Sequence, residues 1–485
     1  MNNDLKQLKP SLVWKHFAAI CQIPHPSHHE EQIRQYVVDF AAEHSLYCRV
    51  DAGNNVYVRK PATPGMENKK GVVLQAHLDM VPQKNNDKVF DFEKDAIEPY
   101  IDGDWVTANG TTLGADNGIG AAAILAILED DSICHGPIEA LFTATEETGM
   151  DGAFGLEGGM LQGDILLNLD SETEGELYVG CAGGLDANIT LPYTAVAVPA
   201  GYKPYTLEVK GLKGGHSGIQ IICQRANANR ELFRLLLTSP VEVLLAAIDG
   251  GGLRNAIPRE ATATVLVKEA DAAQFEQTVA AFEHTLIAEY AGIEDGVSVK
   301  VAPAEMPQTI IPCEVAARLA RAVVGAPNGV VKMSVAMEGL VQTSSNLARV
   351  VSNGSEVKIH CLLRSSSGSE KRALGAAIKG VFELAGATVS LTGDYDGWLP
   401  NMQSPILHAM LSSYEQLYGN RPAVMAIHAG LECGIIGGKY EGLDMISFGP
   451  TISSPHSPDE KVEIASVAKF YEFLLHTLKN APVKE

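Results

Sequence analysis

The sequence predicts an α/β protein whose main domain is a mixed, largely parallel sheet flanked by helices, interrupted by an inserted α+β domain. Apolar, strand-like segments alternate with helical patterns in the first third of the chain, as they do in parallel sheets. One more strand and helix of this character return near the C-terminus, after a middle region in which no strand ends in clustered acids. We therefore predict one domain from residues 1–184 and 400–485, and a second from residues 185–399.

The individual elements follow from the hydrophobic pattern. Four apolar segments predict buried strands, at residues 71–80, 138–145, 164–169 and 443–448. The alanine-rich segment 118–128 is long enough for a helix, and apolar residues at helical spacing from 464 to 475 predict another helix. In the middle region, the strand-like segments 205–209 and 357–363 are each followed by a helical pattern.

Composition and charge narrow the classes of function. The chain has 485 residues, and its 59 Asp and Glu against 37 Lys and Arg give a formal net charge of −22. Such an acidic balance argues against nucleic acid and anionic membranes as partners. No apolar run approaches the roughly 20 residues of a spanning helix, and the first residues lack a signal core. The eight cysteines are scattered without a CxxC pair, so we expect reduced thiols and a cytoplasmic protein.

Histidine and acidic side chains follow three of the predicted strands, where ligands of open α/β sheets bind. His77 and Asp79 close the first strand on the same side, so the aspartate is placed to hold the imidazole, as in many metal sites. Glu146 and Glu147 end the second strand, and adjacent residues of a strand point in opposite directions. One of them can then bind a cation while the other accepts a proton from its water. Asp170 ends the third strand.

Two further residues extend this set. Asp116 precedes the alanine-rich helix, and His456 precedes a predicted helix that starts with a capping box of Ser457 and Glu460, with Pro458 at the first helical position. Each candidate also has an ordinary structural alternative, namely a helix cap, a surface turn or a solvated strand end. Together, however, histidine and carboxylate donors suit zinc and similar divalent ions, and two metals sharing a carboxylate need about this many donors.

Five motifs that contain these residues resemble those of the aminoacyl-histidine (Xaa-His, or cytosol nonspecific) dipeptidases, which are co-catalytic di-zinc metallopeptidases. The motifs lie at residues 75–80, 113–118, 145–149, 168–172 and 455–458, and the resemblance extends over essentially the whole chain. It implies hydrolysis of dipeptides such as β-alanyl-histidine, with a broader dipeptide specificity, by a metal-activated water. It also implies two divalent metal ions, with zinc expected and manganese or cobalt as alternatives, and a homodimer.

The resemblance implies a specific set of metal ligands. Asp116 would be the carboxylate that bridges both metals. His77 and Asp170 would complete one metal site. Glu147 and His456 would complete the other.

The resemblance also implies roles in catalysis and substrate binding. Asp79 would orient the metal-bound histidine, and Glu146 would be the general base. Residues 1–184 and 400–485 would form the catalytic domain, and residues 185–399 the family's lid domain. The implied substrate-contacting residues of the lid are His216, Asn255 and Arg364. The histidine would stabilise the developing oxyanion, and the other two would hold the substrate carboxylate. A motif around Glu432 also matches the family, without an implied role.

Three other functions stay open on the sequence. A deacylase of N-acyl amino acids with the same architecture would use the same metal motifs, because both reactions hydrolyse an amide. A non-catalytic metal-binding or peptide-binding protein is a second alternative, although the presence of both Asp79 and Glu146 argues against it. The third, a nucleotide-dependent oxidoreductase, rests on a G-x-G-x-x-A string at 118–123. The residues before that string are not strand-like, and Asp116 would repel a phosphate.

Overall fold

The computed structural model describes residues 5–484, which form two compact units. The first unit contains the described residues up to Gly180, then Pro400–Ala426 and the residues from Leu431 onward. The second unit contains Cys181–Leu399 and Ile427–Gly430. The predicted α/β class is confirmed. The predicted limits of the inserted domain, residues 185 and 399, stay a prediction.

The helices and strands are numbered here in chain order. The helices are α1 (Ser11–Ile20), α2 (Glu31–Glu43), α3 (Ala115–Glu129), α4 (Asp151–Gly155), α5 (Ala228–Thr238), α6 (Ala272–Glu289), α7 (Cys313–Gly325), α8 (Gly368–Leu384), α9 (Pro405–Tyr418), α10 (Glu432–Lys439) and α11 (Ile464–Lys479). The first strands are β1 (Tyr47–Val50), β2 (Val56–Lys60), β3 (Val72–His77), β4 (Pro99–Asp102), β5 (Trp105–Ala108), β6 (Ile138–Thr143), β7 (Ile165–Asn168) and β8 (Glu176–Cys181). The middle strands are β9 (Gly183–Pro192), β10 (Val196–Ala197), β11 (Tyr202–Lys210), β12 (Val243–Gly251), β13 (Ala261–Lys268), β14 (Ser298–Pro303), β15 (Thr309–Ile310), β16 (Gly329–Met333), β17 (Val341–Ser352), β18 (Glu356–Ser365) and β19 (Thr388–Tyr395). The last strands are β20 (Ala423–Ile427), β21 (Asp444–Ser447), β22 (Ile452–Ser453) and β23 (Lys461–Glu463).

The first unit is built on an eight-stranded sheet in the order β1-β2-β6-β3-β7-β21-β8-β20. Its four central strands, β6, β3, β7 and β21, run parallel to one another. All residues of β3, β6 and β7 are buried, which explains why their sequences are continuously apolar rather than alternating. Helix α3 packs against β3 and α1, and its small alanine side chains are buried on every side. Parallel strands of this kind end at a common edge, which positions the candidate site.

The first unit contains a second sheet, in the order β22-β23-β5-β4, and β23 lies where the sequence predicted the start of the last helix. The predicted capping box at Ser457 is wrong. Turns and then β23 follow this residue, and α11 begins only at Ile464. The reason is the non-local partner of Glu460. Its carboxylate accepts the backbone N–H groups of residues 113–116, at 2.8–3.3 Å, instead of bonding back to a local cap.

The second unit is built on a nine-stranded antiparallel sheet in the order β14-β11-β13-β12-β17-β18-β9-β19, with β16 paired to β17. Apolar side chains of the sheet and of α5–α8 form one continuous core, which includes Phe233, Phe275 and Phe382. The predicted strands 205–209 and 357–363 lie within β11 and β18. Helix α8 follows β18 almost directly, whereas a long loop with one 3₁₀ turn separates β11 from α5.

Among residues 5–484, no helix combines the length and the apolar character that a membrane span requires. None of the eight cysteines forms a disulfide bond.

The buried Glu460 gives a prediction about stability. In Glu460→Gln, two of the four N–H groups around residues 113–116 lose their carboxylate oxygen, and each buried unsatisfied group costs about 1–3 kcal/mol. We expect the free energy of unfolding of the metal-free protein to fall by about 2 kcal/mol or more, measured by urea denaturation. Glu463→Gln is the control, because the Glu463 side chain makes no capping hydrogen bond to α11. Equal unfolding midpoints for the two variants would contradict this prediction.

Candidate metal centre

The candidate metal centre lies at the edge of the sheet where the central parallel strands end. His77 is the last residue of β3, Asp170 follows β7 by two residues, and the turn with Glu146 and Glu147 follows β6. The start of α3 and the turn after β22 supply the other members. The structure brings together all seven residues predicted for this unit, namely His77, Asp79, Asp116, Glu146, Glu147, Asp170 and His456.

The buried carboxylate of Asp116 lies between two histidines. Its Oδ1 is 3.2 Å from Nε2 of His77, and its Oδ2 is 3.1 Å from Nε2 of His456. Asp116 lies at a kink within α3, where its backbone angles are non-helical. Its carboxylate offers one oxygen to each imidazole, a contact that a helix-capping role alone would not require.

Two groups of potential metal ligands share Asp116. In the first, Nε2 of His77 also lies 3.3 Å from Oδ1 of Asp170. In the second, Nε2 of His456 also lies 3.0 Å from Oε2 of Glu147. Within each group, the candidate ligand atoms lie within 4.8 Å of one another. A third group consists of His77, Glu146 and Glu147, whose candidate ligand atoms also lie within 4.8 Å of one another.

The chemistry of these donors fits bound cations. Oε1 of Glu147 is buried and accepts no hydrogen bond from the described residues, and Oδ1 of Asp170 is buried 3.3 Å from Nε2 of His77. A buried carboxylate oxygen without a donor is costly unless a cation neutralises it. Three carboxylates with two imidazoles are a typical set for zinc and other divalent ions of the first transition series.

Buried Asp79 holds both a histidine and the glutamate turn. Its Oδ1 lies 3.3 Å from Nδ1 of His77, and that nitrogen also lies 3.0 Å from the Asp79 carbonyl oxygen. Its carboxylate accepts the backbone N–H groups of Glu146 and Glu147, at 2.9 and 3.2 Å, and the Ser27 hydroxyl at 2.8 Å. Burial acts against ionisation, but these hydrogen bonds and the His77 charge lower the pKa of Asp79 to about 2.

The predicted reason for the different directions of Glu146 and Glu147 is wrong. Strand β6 ends at Thr143, so both glutamates lie in a turn and not at alternating positions of a strand. The turn forms because Asp79 accepts both of their backbone N–H groups, a contact that the local sequence does not reveal.

The electrostatics of the site reflect a concentration of buried acids. Burial raises the pKa of Glu146 to about 8; the His77 charge acts in the opposite direction, and the charges of Glu432 and Glu147 add to the increase. Hydrogen bonds to Asp116 and Glu147 raise the pKa of His456 to about 11. The site therefore attracts positive charge, whether a proton or a metal ion.

Glu432 belongs to the supporting network, although no role for it could be predicted from the sequence. It is 1% exposed at the start of α10, and its Oε2 accepts hydrogen bonds from Gln75 at 2.6 Å and from Thr143 at 2.8 Å. Oε1 of Gln75 in turn accepts a hydrogen bond from Asn168 at 2.5 Å. This network links β3, β6 and β7 just before the residues of the metal centre. The family-like motif around Glu432 was the only available signal.

In the second unit, His216 and Arg364 each carry an N–H group that can donate a hydrogen bond. Nδ1 of His216 accepts the N–H groups of Gly218 and Ile219, at 3.2 and 3.1 Å, which leaves the proton on Nε2. Arg364 is only 6% exposed, and its Nε has no hydrogen-bond partner among the described residues. Asn255 is exposed, and its carbonyl oxygen accepts the N–H of Ser217 at 2.8 Å.

His428 is a further buried polar residue of the second unit that was not predicted from the sequence. This buried histidine lies in the short segment 427–430 that joins the second unit, and its Nε2 is 2.7 Å from the Ser344 hydroxyl. Burial lowers the pKa of His428 to about 3, and the charges of Arg364 and His216 add to this effect. Its imidazole is therefore neutral. No motif or spacing in the sequence indicated it.

Comparison with known proteins agrees with this geometry. Residues 73–480 match peptidase family M20/M25/M40. The chain belongs to this family. It is 48% identical over 484 residues to the cytosol non-specific dipeptidase of Escherichia coli strain K12, which covers 99% of this chain and 100% of that relative. The resemblance predicted from the motifs is thus confirmed.

Solved structures of other proteins support the fold. The crystal structure of aminoacylhistidine dipeptidase from Vibrio alginolyticus has a TM-score of 0.96 and 47% identity, over 99% of each chain. Aminopeptidase PepT from Bacillus cereus has a TM-score of 0.58 at 15% identity, over 98% of this chain and 99% of its own. The second likeness is one of fold alone.

Proposed function

We propose that this chain is a metal-dependent dipeptidase that hydrolyses Xaa-His dipeptides such as β-alanyl-histidine, together with other dipeptides. The observation that carries the proposal is the position of Asp116, whose two oxygens face Nε2 atoms of two different histidines. A carboxylate shared in this way suits a pair of metal ions. The names of the relatives support the substrate class, since one is a cytosol non-specific dipeptidase and another an aminoacylhistidine dipeptidase.

The proposed ligands divide into two sites that share Asp116. His77 and Asp170 would complete the first site, and Glu147 and His456 the second. We propose zinc for both sites, with manganese and cobalt as alternatives. When bound, a pair of divalent ions supplies Lewis acidity and lowers the pKa of a water from about 15.7 towards neutrality.

Glu146 is the proposed general base and acid. Its carboxylate lies within 4.8 Å of candidate ligand atoms of His77 and Glu147, so it is placed beside the proposed metal sites. It would accept a proton from the attacking water and return it to the nitrogen of the leaving amine. Asp79 fixes the backbone of Glu146 and the imidazole of His77 at once, so it positions the base and a metal ligand together.

Three residues of the second unit have proposed roles in substrate recognition. The Nε2–H group of His216 would stabilise negative charge on the carbonyl oxygen as water adds. Arg364 and Asn255 would bind the substrate carboxylate, for which a guanidinium offers two parallel hydrogen bonds. A homodimer in the cytoplasm is also proposed, and the name of the Escherichia coli relative supports the location.

The substrate class is tested by a panel of dipeptides, including β-alanyl-histidine, beside N-acetyl amino acids. We expect hydrolysis of the dipeptides, loss of turnover after chelation, and recovery when zinc, manganese or cobalt is added back. The free amines that form are measured directly. Hydrolysis of the N-acetyl amino acids alone would instead support a deacylase, and turnover that survives complete removal of metal would contradict the proposed chemistry.

The adjacent glutamates are separated by matched variants. Glu146→Gln should keep both metals and lower turnover by about 10²–10⁴-fold, because its amide cannot accept a proton from water. Glu147→Gln should lose metal from one site, because Glu147 is a proposed ligand. Elemental analysis and steady-state kinetics on both variants measure these effects. The two assignments would be reversed if Glu147→Gln kept its metals and lost turnover while Glu146→Gln remained active.

A further inference from the structure

We propose that the segment Ser27–Glu30 positions the catalytic turn, and that Glu30 is its main contact. The catalytic turn is defined here as residues 145–148. This inference rests on the proposed role of Glu146. The segment lies before residues 73–480, which match the peptidase family, and no sequence pattern marked it as part of the site.

Glu30 is a buried acid whose side-chain hydrogen bonds all fall on one carboxylate oxygen. It is 4% exposed and lies directly before α2. Oε1 accepts the N–H of Thr145 at 3.0 Å, the hydroxyl of Thr145 at 2.7 Å and the N–H of His28 at 3.1 Å. Glu30 thus receives both hydrogen-bond donors of the residue that directly precedes Glu146.

Thr145 requires such a partner because of its backbone conformation. Its φ is +53°, in the left-handed region that β-branched residues rarely adopt. Such a conformation persists only where surrounding contacts determine it. The two hydrogen bonds to Glu30 are contacts of this kind. Since Glu146 follows immediately, the backbone of Thr145 sets the direction in which the Glu146 side chain leaves the chain.

Ser27 and His28, two other residues of the segment, also support the catalytic turn, the first through Asp79 and the second directly. The Ser27 hydroxyl donates to Oδ2 of Asp79, whose carboxylate accepts the backbone N–H groups of Glu146 and Glu147. At the end of the turn, Nε2 of His28 lies 3.0 Å from the Thr148 hydroxyl.

The segment is itself anchored to the end of β3. The N–H of Ser27 donates to the carbonyl oxygen of Met80 at 3.3 Å, and the N–H of Met80 donates to the carbonyl oxygen of His25 at 3.1 Å. Both ends of the catalytic turn are therefore tied to the strand end that carries His77 and Asp79. A displacement of a catalytic group by about 1 Å can cost about 100-fold in rate. Glu30 is accordingly a positioning residue.

The test compares Glu30→Met with Glu30→Gln in the metal-loaded protein. Methionine has about the same length but no strong acceptor, whereas glutamine keeps the one oxygen on which all three hydrogen bonds meet. We expect Glu30→Met to lower kcat for a dipeptide about 10- to 100-fold, with KM within about twofold and metal content unchanged. Glu30→Gln should keep at least about half of the turnover. Glu30→Asp, whose side chain is one methylene shorter, should have a kcat between those of the other two variants. It replaces Glu30→Met in the test if that variant does not fold.

Glu139 provides a matched control at the opposite end of β6. It is a 7% exposed acid whose carboxylate accepts the N–H groups of Gln162 and Gly163, at 2.9–3.2 Å. Glu139→Met should leave kcat within about twofold at a temperature well below its unfolding midpoint. An equal loss of kcat in Glu139→Met and Glu30→Met would overturn the proposal. So would a Glu30→Gln variant as inactive as Glu30→Met.

The same assay separates this inference from the proposed function. Wild type and Glu146→Gln are measured beside the Glu30 variants. If the wild type hydrolyses dipeptides and Glu146→Gln does not, normal kcat in Glu30→Met overturns the positioning role alone. If the wild type hydrolyses no dipeptide, the proposed function fails and this inference fails with it.

Discussion

The structure of the first unit depends on stabilising the negative charge that is buried around Asp116. Parallel strands bring acids and a histidine to one edge of the sheet, and α3 adds the Asp116 carboxylate between two imidazoles. These acids repel one another in a medium that screens charge poorly. Oε1 of Glu147 is buried without a hydrogen-bond donor among the residues that the structure describes. Bound cations would neutralise this charge, so the arrangement is costly without metal and well matched to it.

The scaffold around the centre consists largely of buried acids that accept backbone or side-chain donors. Glu460 fixes the loop before Asp116, Asp79 fixes the glutamate turn, and Glu432 connects three strands beneath the site. Each of these acids joins segments that lie far apart in the sequence. The positions of the candidate ligands therefore depend on tertiary contacts of the residues around them, and not on the local sequence alone.

The α/β class and the residues of the candidate metal centre could be predicted from the sequence. Buried parallel strands have apolar sequences, and these sequences end abruptly in His77 or before Asp170. It did not predict the roles of Glu460 or Glu432, whose partners lie more than 280 residues away along the chain. The capping box at Ser457 failed for the same reason: the local pattern was present, but Glu460 bonds elsewhere. Glu30 and His428 carry no motif, and only the folded structure reveals their contacts.

Anomalous diffraction from crystals loaded with manganese tests the central claim, a pair of metals that shares one carboxylate, most directly. The account predicts two peaks in the anomalous difference map, about 3.5–4 Å apart as in other two-metal sites, with one against each oxygen of Asp116. One peak should also contact His77 and Asp170, and the other Glu147 and His456. A single peak at full occupancy, or two peaks that do not share Asp116, would contradict the account.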